Sequence, residues 1–216
     1  MNETINWERI YELKVSYNTS LKNELFHSEF NRLEKENKLG NTIMDFGCGS
    51  DPISKELFFT HKVITIDIAK KNNDDDDRPH FKFDIDKVDK TKFETQKILL
   101  KIAKSLDINP RDEQNKEPID TMIFSEILNY VDYKKVLKFS TDYLKPNGII
   151  IVFNKPRRGF NNLFSEKGLT NNFEFYDFLK SENLKIEKKL FPDVDEANFL
   201  EEKDRLIFLI AQKIKK

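Results

Sequence analysis

The stretch Ile43-Met44-Asp45-Phe46-Gly47-Cys48-Gly49-Ser50-Asp51-Pro52 decides how the rest of the chain is read. Its first half is an apolar run broken by one carboxylate and bounded by glycine, which predicts a buried strand over residues 42–46. Gly47 and Gly49 are two of only six glycines in the chain. Lacking a Cβ, they let the backbone turn sharply and pass close to a ligand. Pro52 suits the first turn of a helix, predicted over residues 53–59, whose exposed N–H groups would face a carboxylate or phosphate. A Gly-x-Gly by itself is also an ordinary tight turn, so its meaning depends on what surrounds it.

Outward from that turn, strand and helix patterns alternate. Residues 63–68, 81–85, 119–125 and 149–154 read as further strands, and residues 92–106 and 131–144 as helices between them. Lys145-Pro146-Asn147-Gly148 stops the second of these helices before the fifth strand. A helix over residues 172–182 follows, and residues 184–191 and 206–214 close the chain as two strands with little room for a crossover helix between them. That closing pair is expected to be antiparallel, whereas the earlier alternation implies a parallel sheet with right-handed crossovers. Residues 72–78, with four consecutive aspartates, read as an exposed loop where a crossover helix would be usual.

Upstream, apolar positions Ile5, Trp7, Ile10, Tyr11, Leu13, Val15 and Tyr17, then Leu21, Leu25, Phe26, Phe30 and Leu33, recur at spacings of three and four. They predict two amphipathic helices broken near residues 18–20, the second ended by Gly40. Residues 1–40 are therefore expected to form a helical extension, either a lid over the site or a pair packed on the sheet edge, and residues 41–216 one α/β domain.

The chain has 216 residues, enough for one such domain. Its 37 basic and 38 acidic side chains leave a net charge of −1, so no global field favours nucleic acid or an anionic membrane. No apolar stretch approaches the ~20 residues of a membrane span, and the first residues lack the pattern of a secretory signal, which predicts a cytoplasmic protein. One cysteine and three scattered histidines show no metal-ligand spacing, so no metal site is expected.

In an open parallel sheet, ligands bind beyond the carboxyl ends of the strands near the point where strand order reverses. Asp67 ends the second strand about twenty residues after the first glycine, where a carboxylate accepts hydrogen bonds from two ribose hydroxyls. The alternative is a strand-end aspartate that only caps the following turn. Asp84-Ile85 ends the third strand, where an acceptor and an apolar side chain would hold an adenine amino group and ring face.

Taken as an ordered set, these residues resemble the class I S-adenosylmethionine-dependent methyltransferases. Ile43-Met44-Asp45-Phe46-Gly47-Cys48-Gly49 looks like that family's first motif, an acidic residue in a strand followed by Gly-x-Gly. Asp67 and Ile68 match its ribose side and Asp84 and Ile85 its adenine side. The segment Asp120-Thr121-Met122-Ile123-Phe124-Ser125-Glu126-Ile127-Leu128-Asn129-Tyr130 resembles its fourth-strand motif, and Leu144-Lys145-Pro146-Asn147-Gly148 its turn before strand five. The resemblance implies a Rossmann-like, mostly parallel seven-stranded sheet with helices on both faces and an antiparallel last strand. It implies a cofactor site of Asp45, Gly47, Cys48, Gly49, Asp67, Ile68, Asp84, Ile85 and Ser125, with S-adenosylhomocysteine as product.

Two departures stand out. Asp51 replaces a third glycine, and the helix after the second strand is shortened or absent. The run Ser125-Glu126-Ile127-Leu128 also differs from the Asn/Asp-Pro-Pro-aromatic run of base-modifying amino methyltransferases, which argues against DNA as acceptor.

Methyl transfer needs the nucleophile in line with the S–CH₃ bond and water excluded, plus a base if the acceptor is a hydroxyl or protonated amine. Glu126 and Tyr130 are the leading candidates for catalysis, with Asp132 and His80 behind them. Each also has a structural reading, as a core aromatic, a cap or a backbone hydrogen-bond partner. Tyr11, Arg157 and Arg158 are candidate substrate contacts, the arginines for an acceptor carboxylate or phosphate; as solvated loop charges they would have no such role. The expected activity is methylation of O or N on a small metabolite or natural-product intermediate. A peptide or protein methyltransferase and a non-catalytic cofactor-binding module are the alternatives. A nicotinamide dehydrogenase is disfavoured because Pro52 stands where Gly-x-Gly-x-x-Gly requires glycine.

Overall fold

In the computed structural model the described residues are 19–49, 51–68, 79–89, 91–109, 117–156, 165–192 and 201–215. Helix α1 (Thr19–Lys35) leads into strand β1 (Thr42–Phe46), a 3₁₀ helix over Ile53–Phe59 and strand β2 (Lys62–Asp67). Strand β3 (His80–Lys82), a single 3₁₀ turn at Ile85–Lys87, helix α2 (Phe93–Ser105) and strand β4 (Ile119–Ser125) follow. Helix α3 (Tyr133–Thr141), strand β5 (Leu144–Asn154), helix α4 (Asn172–Ser181), strand β6 (Leu184–Leu190) and strand β7 (Ile207–Lys213) complete it.

The strands form one sheet in the order β3-β2-β1-β4-β5-β7-β6. All pairs from β3 to β5 are parallel, and β7 inserts antiparallel between β5 and β6. Six strands thus run one way and the last runs against them. Order reverses between β1 and β4, which opens a crevice beyond their carboxyl ends.

Strand alternation sends side chains to two cores. Met44, Phe46, Met122, Phe124, Ile150 and Val152 face α2, α3 and α4. Ile43, Ile123, Ile149, Ile151, Phe153 and Phe208 face the other way, where Phe26, Phe30 and Leu33 of α1 and Leu57 of the first 3₁₀ helix cover them. Helix α1 is therefore bound to the sheet by a buried stripe. Phe26 is 1% exposed, with its ring centroid 5.2 Å from Phe208 and 6.2 Å from Phe153.

Several local expectations are corrected. Gly40 does not end α1: the helix stops at Lys35, and Asn37 takes the left-handed turn at φ +53°. Gly40, at φ +71°, instead lets the chain pass Asp120, whose Cβ would lie 2.2 Å from any Cβ placed there. Residues 53–59 wind as 3₁₀ rather than α, led by Pro52 as the capping residue. The third strand ends at Lys82, because Asp84 turns its side chain onto the Asp86 amide and caps the Ile85–Lys87 turn. Helix α3 is shorter than residues 131–144: Asp132 caps it by accepting the Lys135 amide, and Leu144 already belongs to β5. Lys145-Pro146-Asn147-Gly148 lies inside that strand, where the β4 pairing shifts register and Asn147 adopts φ +67°. The first predicted helix and the tetra-aspartate run lie outside the described residues.

Candidate active site

The turn after β1 is tied to the end of β2. Gly47, at φ +64°, donates its N–H to the Ile66 carbonyl at 2.8 Å, and Gly49, at φ +63°, donates its N–H to Asp67 Oδ2 at 2.9 Å. A Cβ on Gly47 would fall 2.5 Å from Ile127 Cγ1, so only glycine lets the β4 loop close over this turn. Asp67 is buried with its carboxylate against the turn.

Asp45 is fully buried in β1 and its carboxylate is half satisfied. Oδ2 accepts the Ser54 hydroxyl at 2.7 Å and the Ser54 amide at 3.3 Å. Oδ1 has no hydrogen-bond partner among the described residues. Burial pushes the Asp45 pKa up to about 7, aided by the Asp67 charge and opposed by the Ser54 bonds and the Lys22 ammonium. A buried acceptor of this kind is costly unless a ligand completes it.

Ser125 supplies a second such atom. The register pairs Asp45 with Ile123, which sets Ser125 one step beyond Asp45 on the same sheet face, and its buried Oγ also has no partner among the described residues. Above this face the first turn of α1 places Lys22, whose Nζ lies 2.9 Å from Glu126 Oε2. Glu126 leaves β4 at φ +59°, a left-handed conformation that costs a non-glycine residue about 1–3 kcal/mol. Its N–H donates to the Phe153 carbonyl at 2.7 Å, which holds it there.

The methyltransferase domain family matches residues 17–185, most of the chain and all of this crevice. The chain belongs to that family. Its sheet order and antiparallel last strand are those of the class I S-adenosylmethionine-dependent methyltransferase fold. The methyltransferase domain is similar to the 1,6-didemethyltoxoflavin-N1-methyltransferase of Burkholderia thailandensis, solved with 1,6-didemethyltoxoflavin and S-adenosylhomocysteine. That match has 11% identity and a TM-score of 0.63, over 97% of this chain and 86% of that one. It is also similar to an S-adenosylmethionine-dependent methyltransferase from Clostridium acetobutylicum (14% identity, TM-score 0.56, 97% and 98% covered). The N-methyltransferase NodS from Bradyrhizobium japonicum matches as well (11% identity, TM-score 0.54, 92% and 99% covered). No curated protein matches the sequence.

Within the methyltransferase domain, Asp45, Gly47, Cys48, Gly49, Asp67, Ser125 and Glu126 come together at the crevice. Burial pushes the Cys48 thiol well above its ordinary range, with the Asp45 and Asp67 charges adding to the effect, so it is a small apolar wall rather than a nucleophile. Its Sγ is 3.9 Å from His80 Nδ1, which pairs with the Thr65 hydroxyl at 2.9 Å; His80 is thus held to β2. Ile68 is half-buried just past β2, and Asp84 is paired with Lys87 at 3.0 Å. Ile85 is only 5% exposed and packs in the core beneath.

Tyr130 is half-buried in the turn before α3, its amide bonded to the Ile127 carbonyl at 2.9 Å. Asp132 is engaged as the α3 cap and by Lys167 at 3.4 Å, a structural role. Tyr11, Arg157 and Arg158 lie outside the described residues. Among the described residues, no group of histidine, cysteine or carboxylate side chains is arranged to hold a metal ion, and no helix is long and apolar enough to cross a membrane.

Sequence reasoning missed Lys22, Ser54, Asn129 and Asn154. For Lys22 a signal existed: it stands four residues before Phe26 and eight before Phe30, on the apolar stripe of α1, where a charged residue needs a partner.

Proposed function

We propose that the protein transfers a methyl group from S-adenosylmethionine to an oxygen or nitrogen of a small-molecule metabolite or natural-product intermediate. The observation that carries this reading is the buried, unpartnered Asp45 Oδ1 at the strand-order reversal, beside two left-handed glycines and the Asp67 carboxylate. An adenosyl amino acid fits that donor set. Asp45 takes its ammonium, the Gly47-Cys48-Gly49 backbone allows close approach, and Asp67 accepts from the ribose hydroxyls. Asp84 and Ile68 flank the adenine, with Ile85 bracing that wall from the core, and Ser125 completes the donor end.

The bound cofactor supplies a methyl group already activated on a sulfonium, so this chain's own residues need only align the acceptor and exclude water. Glu126 and Tyr130, at the carboxyl end of β4, occupy the acceptor side. For a hydroxyl or ammonium acceptor, the Glu126 carboxylate takes the proton that leaves the nucleophile. Helix α1, packed on the sheet, brings Lys22 to the site, and residues 41–216 serve as the catalytic domain. The near-zero net charge and the Ser125-Glu126-Ile127-Leu128 sequence support a small acceptor over DNA, and the toxoflavin enzyme holds an acceptor of that size class.

Calorimetric titration with S-adenosylmethionine, S-adenosylhomocysteine and NAD tests the reading. The first two are expected to bind and NAD is not; binding of NAD alone would overturn it. Transfer of a labelled methyl group to peptides but not to small molecules would reassign the acceptor.

A further inference from the structure

Lys22 extends from the first turn of α1 to Glu126 at the crevice. Its side chain is only 16% exposed. It makes an ion pair with Glu126 at 2.9 Å and lies close enough to Asp45 to oppose the loss of that residue's charge on burial. Asp45 Oδ1 and Ser125 Oγ, both buried and without partners among the described residues, lie on the same sheet face below it. The site therefore holds the Asp45 carboxylate with one open oxygen, the open Ser125 hydroxyl and the Lys22 ammonium. An amino-acid zwitterion carries the complement, its ammonium for Asp45 and its carboxylate for Lys22.

We propose that Lys22 is the receptor for the carboxylate of the cofactor's amino-acid tail, and that docking exchanges the Lys22–Glu126 ion pair for a Lys22–cofactor pair, releasing Glu126 to the acceptor side. This rests on the reading of the crevice as the S-adenosylmethionine site. The exchange links two events that must occur in order. Before docking, the Glu126 carboxylate is occupied by the Lys22 ammonium; after docking it is free to turn to a hydroxyl or ammonium acceptor. Glu126, the residue after β4, has a left-handed backbone and pairs with Lys22 of α1.

The test is calorimetry of wild type, Lys22→Met, Lys22→Arg and Glu126→Gln with two ligands. S-adenosylhomocysteine carries the amino-acid tail, and 5′-methylthioadenosine has the adenosine and sulfur without it. Removal of a charge-assisted hydrogen bond predicts that Lys22→Met binds S-adenosylhomocysteine about tenfold or more weakly, with methylthioadenosine affinity unchanged. Lys22→Arg restores most of that loss if the variant is folded. Glu126→Gln binds S-adenosylhomocysteine at least as tightly as wild type, because its competitor for Lys22 is gone. Equal weakening of both ligands in Lys22→Met, or no weakening, would overturn the assignment, and a tenfold loss in Glu126→Gln would overturn the exchange. If wild type itself binds neither ligand, the cofactor reading fails first, which separates the two failures.

Discussion

The Asn154 side chain donates its amide to Asn129 Oδ1 at 2.9 Å, joining the last residue of β5 to the loop that follows β4. Asn154 Oδ1 accepts the Leu128 amide at 3.2 Å, and Asn129 Nδ2 donates onward to the Lys155 carbonyl at 2.8 Å. Both asparagines are buried, so this network fixes the segment that carries Glu126 and Tyr130. Asn154→Leu leaves the Leu128 amide and the Asn129 oxygen without partners and is expected to cost about 3 kcal/mol of stability, read from urea denaturation. A loss under about 0.5 kcal/mol would show that the loop is held by other contacts.

Asp45 makes both stability and ligand binding depend on pH. Its carboxyl is pushed by burial from an ordinary 3.8 to about 7 in the folded chain. The folded state therefore holds a proton that the unfolded state has lost. The associated stability, roughly 4 kcal/mol, is present below about pH 4 and is lost as pH rises through about 7. Asp45→Asn is expected to flatten the difference in unfolding free energy between pH 4 and 8, measured against wild type under identical conditions.

For S-adenosylhomocysteine the sign is reversed, because its ammonium requires the ionised carboxylate. Wild-type affinity should rise with pH and level off above about 7. Calorimetry in buffers of different ionisation enthalpy should show proton release on binding at pH 6, and proton uptake would contradict the assignment of Asp45.

Gly47→Ala combines two penalties. Alanine at φ +64° is strained, and its Cβ would sit 2.5 Å from Ile127 Cγ1. Together they are expected to cost about 2 kcal/mol or more and to weaken cofactor binding by displacing the β4 loop. Adding Ile127→Ala removes the colliding Cγ1 and should recover part of the loss, whereas strictly additive effects in the double variant would mean that the contact is irrelevant.

Asp67→Ala removes the acceptor of the Gly49 amide and, in the proposed site, of the ribose hydroxyls. S-adenosylhomocysteine affinity should fall at least tenfold. Unchanged affinity in a folded variant would contradict the site.

Phe26→Ala tests whether α1 is part of the core. The ring is 1% exposed among Phe30, Phe153 and Phe208. Its loss is expected to cost about 3–5 kcal/mol in a single cooperative transition. A small loss with early unfolding of α1 alone would show that the helix is a separate, weakly attached element.

The order of elements was legible from the sequence because hydrophobic period and glycine placement are local properties. The bounds of β1 and β4, the buried carboxylate of Asp45 and the glycine turn could all be read from neighbours within a few residues. Element ends were less legible. Asp84 and Asp132 stop or start elements through side-chain caps that compete with the apolar pattern, and Asn37 rather than Gly40 turns the chain after α1. The pairing of Lys22 with Glu126 joins residues 104 apart, and that of Asn154 with Asn129 joins residues 25 apart. No local pattern encodes either: the first exists because α1 packs on the sheet, and the second because the parallel neighbours β4 and β5 end side by side. The sequence alone determined the alternation that builds the sheet and the residue types available at its carboxyl edge. Tertiary packing decided which of those groups are buried, which are paired and which are left open, because desolvation and charge depend on what lies across the fold rather than along the chain.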